Sequence, residues 1–346
     1  MTAFATTAGV DWTDVHEGQT IPEFLLPITT KTLALAAAGT RDYMPYHHNG
    51  GFCQNLGIRD SFVNTTYLQA LLSRCATDWA GPHAVMASMS LTMSDQLCRG
   101  DVAHVAGTVT RVWADADRHS AEIEVTITTQ DGRKVAKAPI VLDLAVGGVA
   151  PAPRVLSVYP PKVELDVEMP QELRDRLDER FIREAPFPVS EAQIGYWCDM
   201  VRDANPQYQS FDSRRVDVIA PAASMSIWNL SRAPQLGVDS SLPDVDAPDQ
   251  GAWPSVVDSN WPFEWRAPHA REVIVQRRHA DFGAPVRPGD LIHSTAQLLN
   301  CSGRRETKLG GGYFLSRYEV YQNQHGDVIG TTTMSLFQYG IDHDIK

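Results

Sequence analysis

The chain has 346 residues, 43% of them hydrophobic and 21% charged, which allows two packed cores and argues against a disordered protein. Its formal net charge of −12 argues against a nucleic-acid partner, because affinity for phosphate backbones comes from Lys and Arg. Cysteines 53, 75, 98, 198 and 301 form no Cys-x-x-Cys and no Cys/His zinc spacing, as expected of reduced thiols in a cytoplasm.

The first stretch, "MTAFATTAGVDWTDVHEG", has no basic segment followed by an apolar core, and no apolar run approaches the ~18 residues of a membrane span. A cytoplasmic protein without a membrane partner is expected. The segment "TRDYMPYHHN" (40–49) then places Asp42, Pro45, His47 and His48 together. Pro45 fixes its own φ and disfavours helix at Met44, so the chain must turn and Asp42 and His47 can converge. A histidine, ordinarily titrating near ~6.5, suits proton acceptance at neutral pH. On spacing alone, a capped turn with an exposed histidine is equally open. A metal site from Asp42, His47 and His48 is not expected, since adjacent histidines do not share a face. His48 should face solvent.

Residues 64–79, "NTTYLQALLSRCATDW", set Tyr67, Leu68, Leu71, Leu72, Cys75 and Trp79 on one helical face. Asn64 is a good N-cap and Gly81-Pro82 ends the helix. "VMASMSLTM" alternates with Val85, Ala87, Met89, Leu91 and Met93 on one side, and "AEIEVTIT" repeats this with Ala121, Ile123, Val125 and Ile127. Asp131-Gly132 closes a turn. Arg41, Arg59 and Arg99 could reach a phosphate but read first as surface charges. "APAPRVLSVYPPKVELDVEMPQ" reads as a linker, followed by a short helix, "QELRDRLDERF". Further strands are expected over 271–276, 290–299, 313–321 and 328–337. "KLGGGYF" (308–314) lacks the strand-loop-helix context of a phosphate loop and reads as a strand connection.

The chain is written twice. "RDYMP" (41–45) matches "RDANP" (202–206) at an offset of 161. "RGDVAHV" (99–105) matches "PGDLIHS" (288–294) at 189, and Gly132 matches Gly326 at 194. Duplication followed by insertion produces such growing offsets. The extra residues include the Pro/Asp-rich "SSLPDVDAPDQGAWPSVVDSNWPFEW". Each copy reads as a helix followed by strands with one polar face, an α+β unit in which a curved antiparallel sheet wraps the helix. The expected division is 1–150, a linker with a short helix over 151–187, and 188–346.

These features resemble the MaoC-like (R)-specific enoyl-CoA hydratases and dehydratases. The family motif Asp-x-Asn-Pro-x-His stands here as Asp42-Tyr43-Met44-Pro45-Tyr46-His47, and Gly100-Asp101 and Gly289-Asp290 match the family's glycine-aspartate between strands. The resemblance implies two tandem hot-dog domains forming a pseudo-dimeric double hot-dog, as a monomer or a homodimer. It implies reversible addition of water to a trans-2-enoyl thioester, giving a (3R)-3-hydroxyacyl-CoA. Asp42 and His47 would be catalytic, and Asn64 and Thr65 would serve oxyanion and substrate binding at the helix N-terminus. The substrate would be an acyl-CoA, with no metal or redox cofactor.

The second copy, Asp203-Ala204-Asn205-Pro206-Gln207-Tyr208, has tyrosine where the motif has histidine. A phenol titrating near ~10 is a poor neutral-pH base, so the first half should carry the chemistry and the second should shape the pocket. "VNTTYLQALLSRCATDWAGP" is similar to the branch acting on steroid side-chain thioesters, and Trp253, Trp261 and Trp265 fit a bulky acyl group. A hot-dog acyl-CoA thioesterase and a non-catalytic acyl-binding scaffold are the alternatives.

Overall fold

In the computed structural model, which describes residues 9–115, 117–209, 218–230 and 264–340, the strands form one continuous antiparallel sheet. The first half contributes β1 (Thr20–Pro27), β2 (Val85–Met93), β3 (Val102–Asp115), β4 (Arg118–Thr129) and β5 (Lys134–Asp143). The second contributes β6 (Phe181–Arg183), β7 (Glu272–Phe282), β8 (His293–Cys301), β9 (Arg305–Thr307), β10 (Gly310–Gln322) and β11 (Val328–Tyr339). The order is β1-β3-β4-β5-β2-β7-β11-β10-β8-β6, with β9 paired to β10. Read outward from the β2–β7 seam, both halves repeat one order, so the chain is a pseudo-dimer about that seam. It is closed by pairs running from Ser88↔Asp281 to Thr92↔Arg277.

Five helices accompany the sheet among the described residues: α1 (Thr30–Thr40), α2 (Gly50–Asn55), α3 (Thr65–Ala80), α4 (Gln171–Arg174) and α5 (Glu191–Val201). None is long and apolar enough to cross a membrane. The alternating residues Ala121, Ile123, Val125 and Ile127 of β4 are fully buried against α3 and its neighbours. On α3, Tyr67, Leu68, Leu71, Leu72 and Cys75 are buried as the periodicity predicts. Each fully buried Leu contributes about 1.5–3 kcal/mol.

The polar side of α3 is buried too, because the second half covers it. Gln69 accepts from Arg278 Nη1 on β7 at 2.9 Å, Arg74 Nη1 donates to the Val201 carbonyl at 2.6 Å, and the Tyr67 hydroxyl donates to the Met200 carbonyl at 3.3 Å.

Several expectations need correction. The helix expected over "QELRDRLDERF" stops at Arg174, and β6 begins at Phe181. β7 runs to Phe282, well past residue 276, because its second part pairs with β2 in the seam. Ahead of β7 in the second half, the described residues include a 3-10 segment, Ala222–Ile227, entered through Pro221, and the helix expected of the second copy is otherwise left to residues outside those described. Of the tryptophans in the excursion, Trp253 and Trp261 lie outside the described residues. Trp265 is buried, edge-on to Phe181 at 5.2 Å.

Candidate active site

α1 ends with Arg41 in the left-handed region (φ 58°), which turns the chain so that Asp42 leaves the helix axis. α5 ends the same way, with Arg202 (φ 57°) before Asp203. Met44 is extended (φ −60°, ψ 138°), as the following proline requires, and Pro45–His47 form one 3-10 turn with proline at its start. The Asp42 carboxylate accepts the Met44 N–H at 3.3 Å.

The turn delivers His47 into the protein, where its Nδ1 lies 2.8 Å from the Phe62 carbonyl. A carbonyl only accepts, so Nδ1 holds the proton of the neutral ring and the Nε2 lone pair is free to act as a base. Nε2 stands 3.4 Å from Asp42 Oδ2. Two acceptors at that separation can share one donor, as an attacking water would be shared. His47 is buried, while the Asp42 side chain is 33% exposed.

Burial works against charge on both groups, and their proximity outweighs it. It pushes His47 down, but the Asp42 charge and hydrogen bond, with the Phe62 carbonyl, leave it above its ordinary value. Burial pushes Asp42 up, but the His47 charge and hydrogen bond, with the Met44 N–H, hold it below the usual carboxylate range.

Asn64 is more than a cap. Its Oδ1 accepts the Tyr67 N–H at 2.8 Å and its Nδ2 donates to Thr40 Oγ1 at 2.6 Å, which in turn donates to the Ala36 carbonyl at 2.6 Å. The N-terminus of α3 is thereby tied to a residue two before Asp42. Asn64 is buried with both amide atoms engaged, so its side chain positions rather than offers itself. The Thr65 hydroxyl donates toward Met93 Sδ at 3.5 Å, and helix geometry leaves the Thr65 and Thr66 N–H groups without intrahelical acceptors.

A further contact left no trace in the local sequence. Tyr46, beside His47, donates its hydroxyl to Glu272 Oε2 at 2.7 Å, and Glu272 lies on β7 of the second half. Burial, chiefly, pushes both groups above their ordinary values. The Tyr46 carbonyl also accepts the Phe62 N–H at 3.0 Å. Met44 cannot make the bond its counterpart makes. In the second motif, Asn205 Oδ1 accepts the Gln207 N–H at 3.0 Å, whereas Met44 packs instead toward Phe52 and Cys53.

Other residues take the quieter role expected of them. His48 is exposed and its Nε2 meets the Tyr43 carbonyl at 3.0 Å. Arg59 pairs with Asp101 and Arg99 with Asp60, while Arg41 lies 4.5 Å over the Phe187 ring. Gly100 and Gly289, both at φ 93°, form equivalent turns whose aspartates hold local structure: Asp101 takes Arg59 and Arg133, and Asp290 takes the Arg287 N–H. Among the described residues, no group of three or more His, Cys, Asp or Glu is placed to hold a metal ion.

No protein-family model matches the chain. Over 95 residues, 28% of this chain and 74% of the relative, it is 33% identical to the 3-oxo-4,17-pregnadiene-20-carboxyl-CoA hydratase beta subunit of Mycobacterium tuberculosis. The chain belongs to the MaoC-like hydratase and dehydratase family. A Thermomonospora curvata protein named as an enoyl-CoA hydratase alpha subunit is 27% identical over 168 residues, 45% of this chain and 47% of that one. The match thus spans about half the length of that relative. Among solved structures, a MaoC-domain dehydratase from Chloroflexus aurantiacus superposes with a TM-score of 0.65 at 12% identity, covering 98% of this chain and 100% of its own. A Mycobacterium tuberculosis protein described as a double hot-dog gives 0.61 at 12% identity, covering 96% and 100%. This MaoC-like chain therefore has the double hot-dog fold.

Proposed function

We propose that this MaoC-like protein is an (R)-specific enoyl-CoA hydratase, equally a 3-hydroxyacyl-CoA dehydratase, whose single working dyad is Asp42 and His47. The observation that carries the reading is the His47 ring: Nδ1 fixed on the Phe62 carbonyl, and Nε2 turned to Asp42 Oδ2 at 3.4 Å. In the hydration direction, Nε2 and Asp42 hold one water beside C3 of a trans-2-enoyl thioester. Nε2 takes a proton as the water oxygen bonds C3, and the C2–C3 π electrons move toward the thioester oxygen. The imidazolium then returns its proton to C2, and Asp42 stabilises the imidazolium meanwhile. Negative charge on the thioester oxygen meets the Thr65 N–H at the positive end of α3. No metal or redox group enters these steps.

Tyr208 leaves the second motif without a neutral-pH base, which supports assigning one working dyad per chain. The likeness to a pregnadiene-carboxyl-CoA hydratase subunit favours a bulky, steroid-like acyl group. A hot-dog thioesterase would need a carboxylate on the central helix; the first one along it, Asp78, is already paired with Arg74 at 3.0 Å.

The test is turnover of crotonyl-CoA and of a steroid side-chain enoyl-CoA, followed at the absorbance of the conjugated thioester. Loss of absorbance without free thiol is expected, and His47→Ala and Asp42→Asn should each lower the rate at least ~100-fold. Free thiol would mean a thioesterase, and no turnover across a broad panel would leave an acyl-binding scaffold.

A further inference from the structure

The pseudo-two-fold axis gives the dyad a counterpart at the other end of the seam, and that place is hollow. In the first half the motif ends at His47, the Thr65 hydroxyl at the start of α3 meets Met93 at the end of β2, and Tyr46 beside His47 reaches Glu272 at the start of β7. Exchanging the halves gives Tyr208, the 3-10 segment beginning at Ala222, the end of β7 at Phe282 and the start of β2 at Val85. All four line one cavity of about 670 Å³. It sits by Thr77 near the C-terminal end of α3, whereas the dyad lies at its N-terminal end, and 16 helical residues span about 24 Å.

The volume is in the range of small-molecule sites, about 300–1,000 Å³. The floor is buried and aliphatic or aromatic, with Met86, Ala220, Phe282 and Ile329, while His83 and Arg287 are exposed at the rim. Chemistry has been removed from this copy. Tyr208 replaces the histidine and is buried. The Asp203 carboxylate accepts the Asn205 N–H at 2.9 Å and is not among the lining residues. A pocket that keeps its apolar walls but lacks a base binds without turning over.

We infer that this cavity is a second, non-catalytic site for an aliphatic acyl chain, with the polar head of the ligand at the His83 and Arg287 rim. The choice of an acyl chain rests on the hydratase reading of the first half. The cavity itself does not.

The experiment is calorimetric titration of the full chain with octanoyl-CoA, which has no double bond to hydrate. Ala84→Trp, in the half-buried wall, should remove one bound equivalent relative to wild type, with crotonyl-CoA turnover within about twofold of wild type. Ala222→Phe should do the same from a second lining position, guarding against a folding defect in either variant. Octanoate competing for that equivalent would support the acyl chain as the recognised group; competition by free CoA but not by octanoate would overturn it. If both variants keep the wild-type stoichiometry, the inference is overturned. Lack of turnover in every protein, wild type included, would sink the hydratase reading while leaving the stoichiometric result to decide this one.

Discussion

Asn64→Ala tests whether the bond from α3 to α1 sets the geometry of the dyad. The substitution removes two interactions at once. Loss of the Oδ1 cap on the Tyr67 N–H costs about 1 kcal/mol. Loss of the buried Nδ2–Thr40 Oγ1 bond costs about another 1 kcal/mol. Together they predict about 2 kcal/mol of destabilisation. Asn64→Ser separates the two, because serine caps the helix but cannot reach Thr40, and should lose about 1 kcal/mol. Urea unfolding with unchanged slope reads both values. Hydration assays should show kcat about tenfold lower in the alanine variant, with KM little changed, since what moves is the helix end facing the dyad. An alanine variant within ~0.5 kcal/mol of wild type, or a serine variant as unstable as the alanine one, would refute the reasoning.

Three further outcomes follow from the site and its counterpart. Activity requires neutral His47, so kcat/KM should fall as pH drops through its folded-state value; Asp42→Asn removes the charge that raises this value and leaves the burial that lowers it, so the acid limb should move to lower pH. A limb that stays or moves upward in pH–rate profiles contradicts the pairing. Glu272→Ala should lower kcat about tenfold by freeing the Tyr46 hydroxyl, and Glu272→Gln, which can still accept that bond, should restore most of it. Equal loss in both variants would mean that the hydrogen bond is not what matters. Asp203 is pushed from 3.8 up to about 7, chiefly by burial and then by the Asp78 charge. The folded state therefore keeps a proton that the unfolded chain loses, and wild-type stability should fall as pH rises from about 4 to about 7. Asp203→Asn should abolish that slope, matching wild type near pH 4 and exceeding it at pH 8 by on the order of 4 kcal/mol; parallel stability–pH curves would exclude it.

Much of this architecture was written locally. The β4 alternation, the apolar face of α3, its Asn64 cap and the Gly81 terminator (φ 80°) each follow from neighbouring residues and were legible as such. The seam was not. The later part of β7, "QRRHADF", is crowded with charge and hides its period, yet Arg278 is buried because Gln69 on α3 receives it. The full burial of α3 was equally invisible, since Arg74 and Tyr67 find their partners more than a hundred residues away at Val201 and Met200. At the site, the proline and the Asp42/His47 spacing announced the turn. What holds that turn was silent, because Phe62 contributes backbone and Glu272 sits 226 residues from Tyr46.

The seam also bears on how the two halves could diverge. When a sheet is assembled from identical subunits, any substitution appears on both sides of the axis, and a lost histidine disables every site together. Here β2 and β7 meet within one polypeptide, so each position mutates alone. One copy can surrender its imidazole to tyrosine while the other goes on working under selection. Covalent fusion makes such asymmetry heritable.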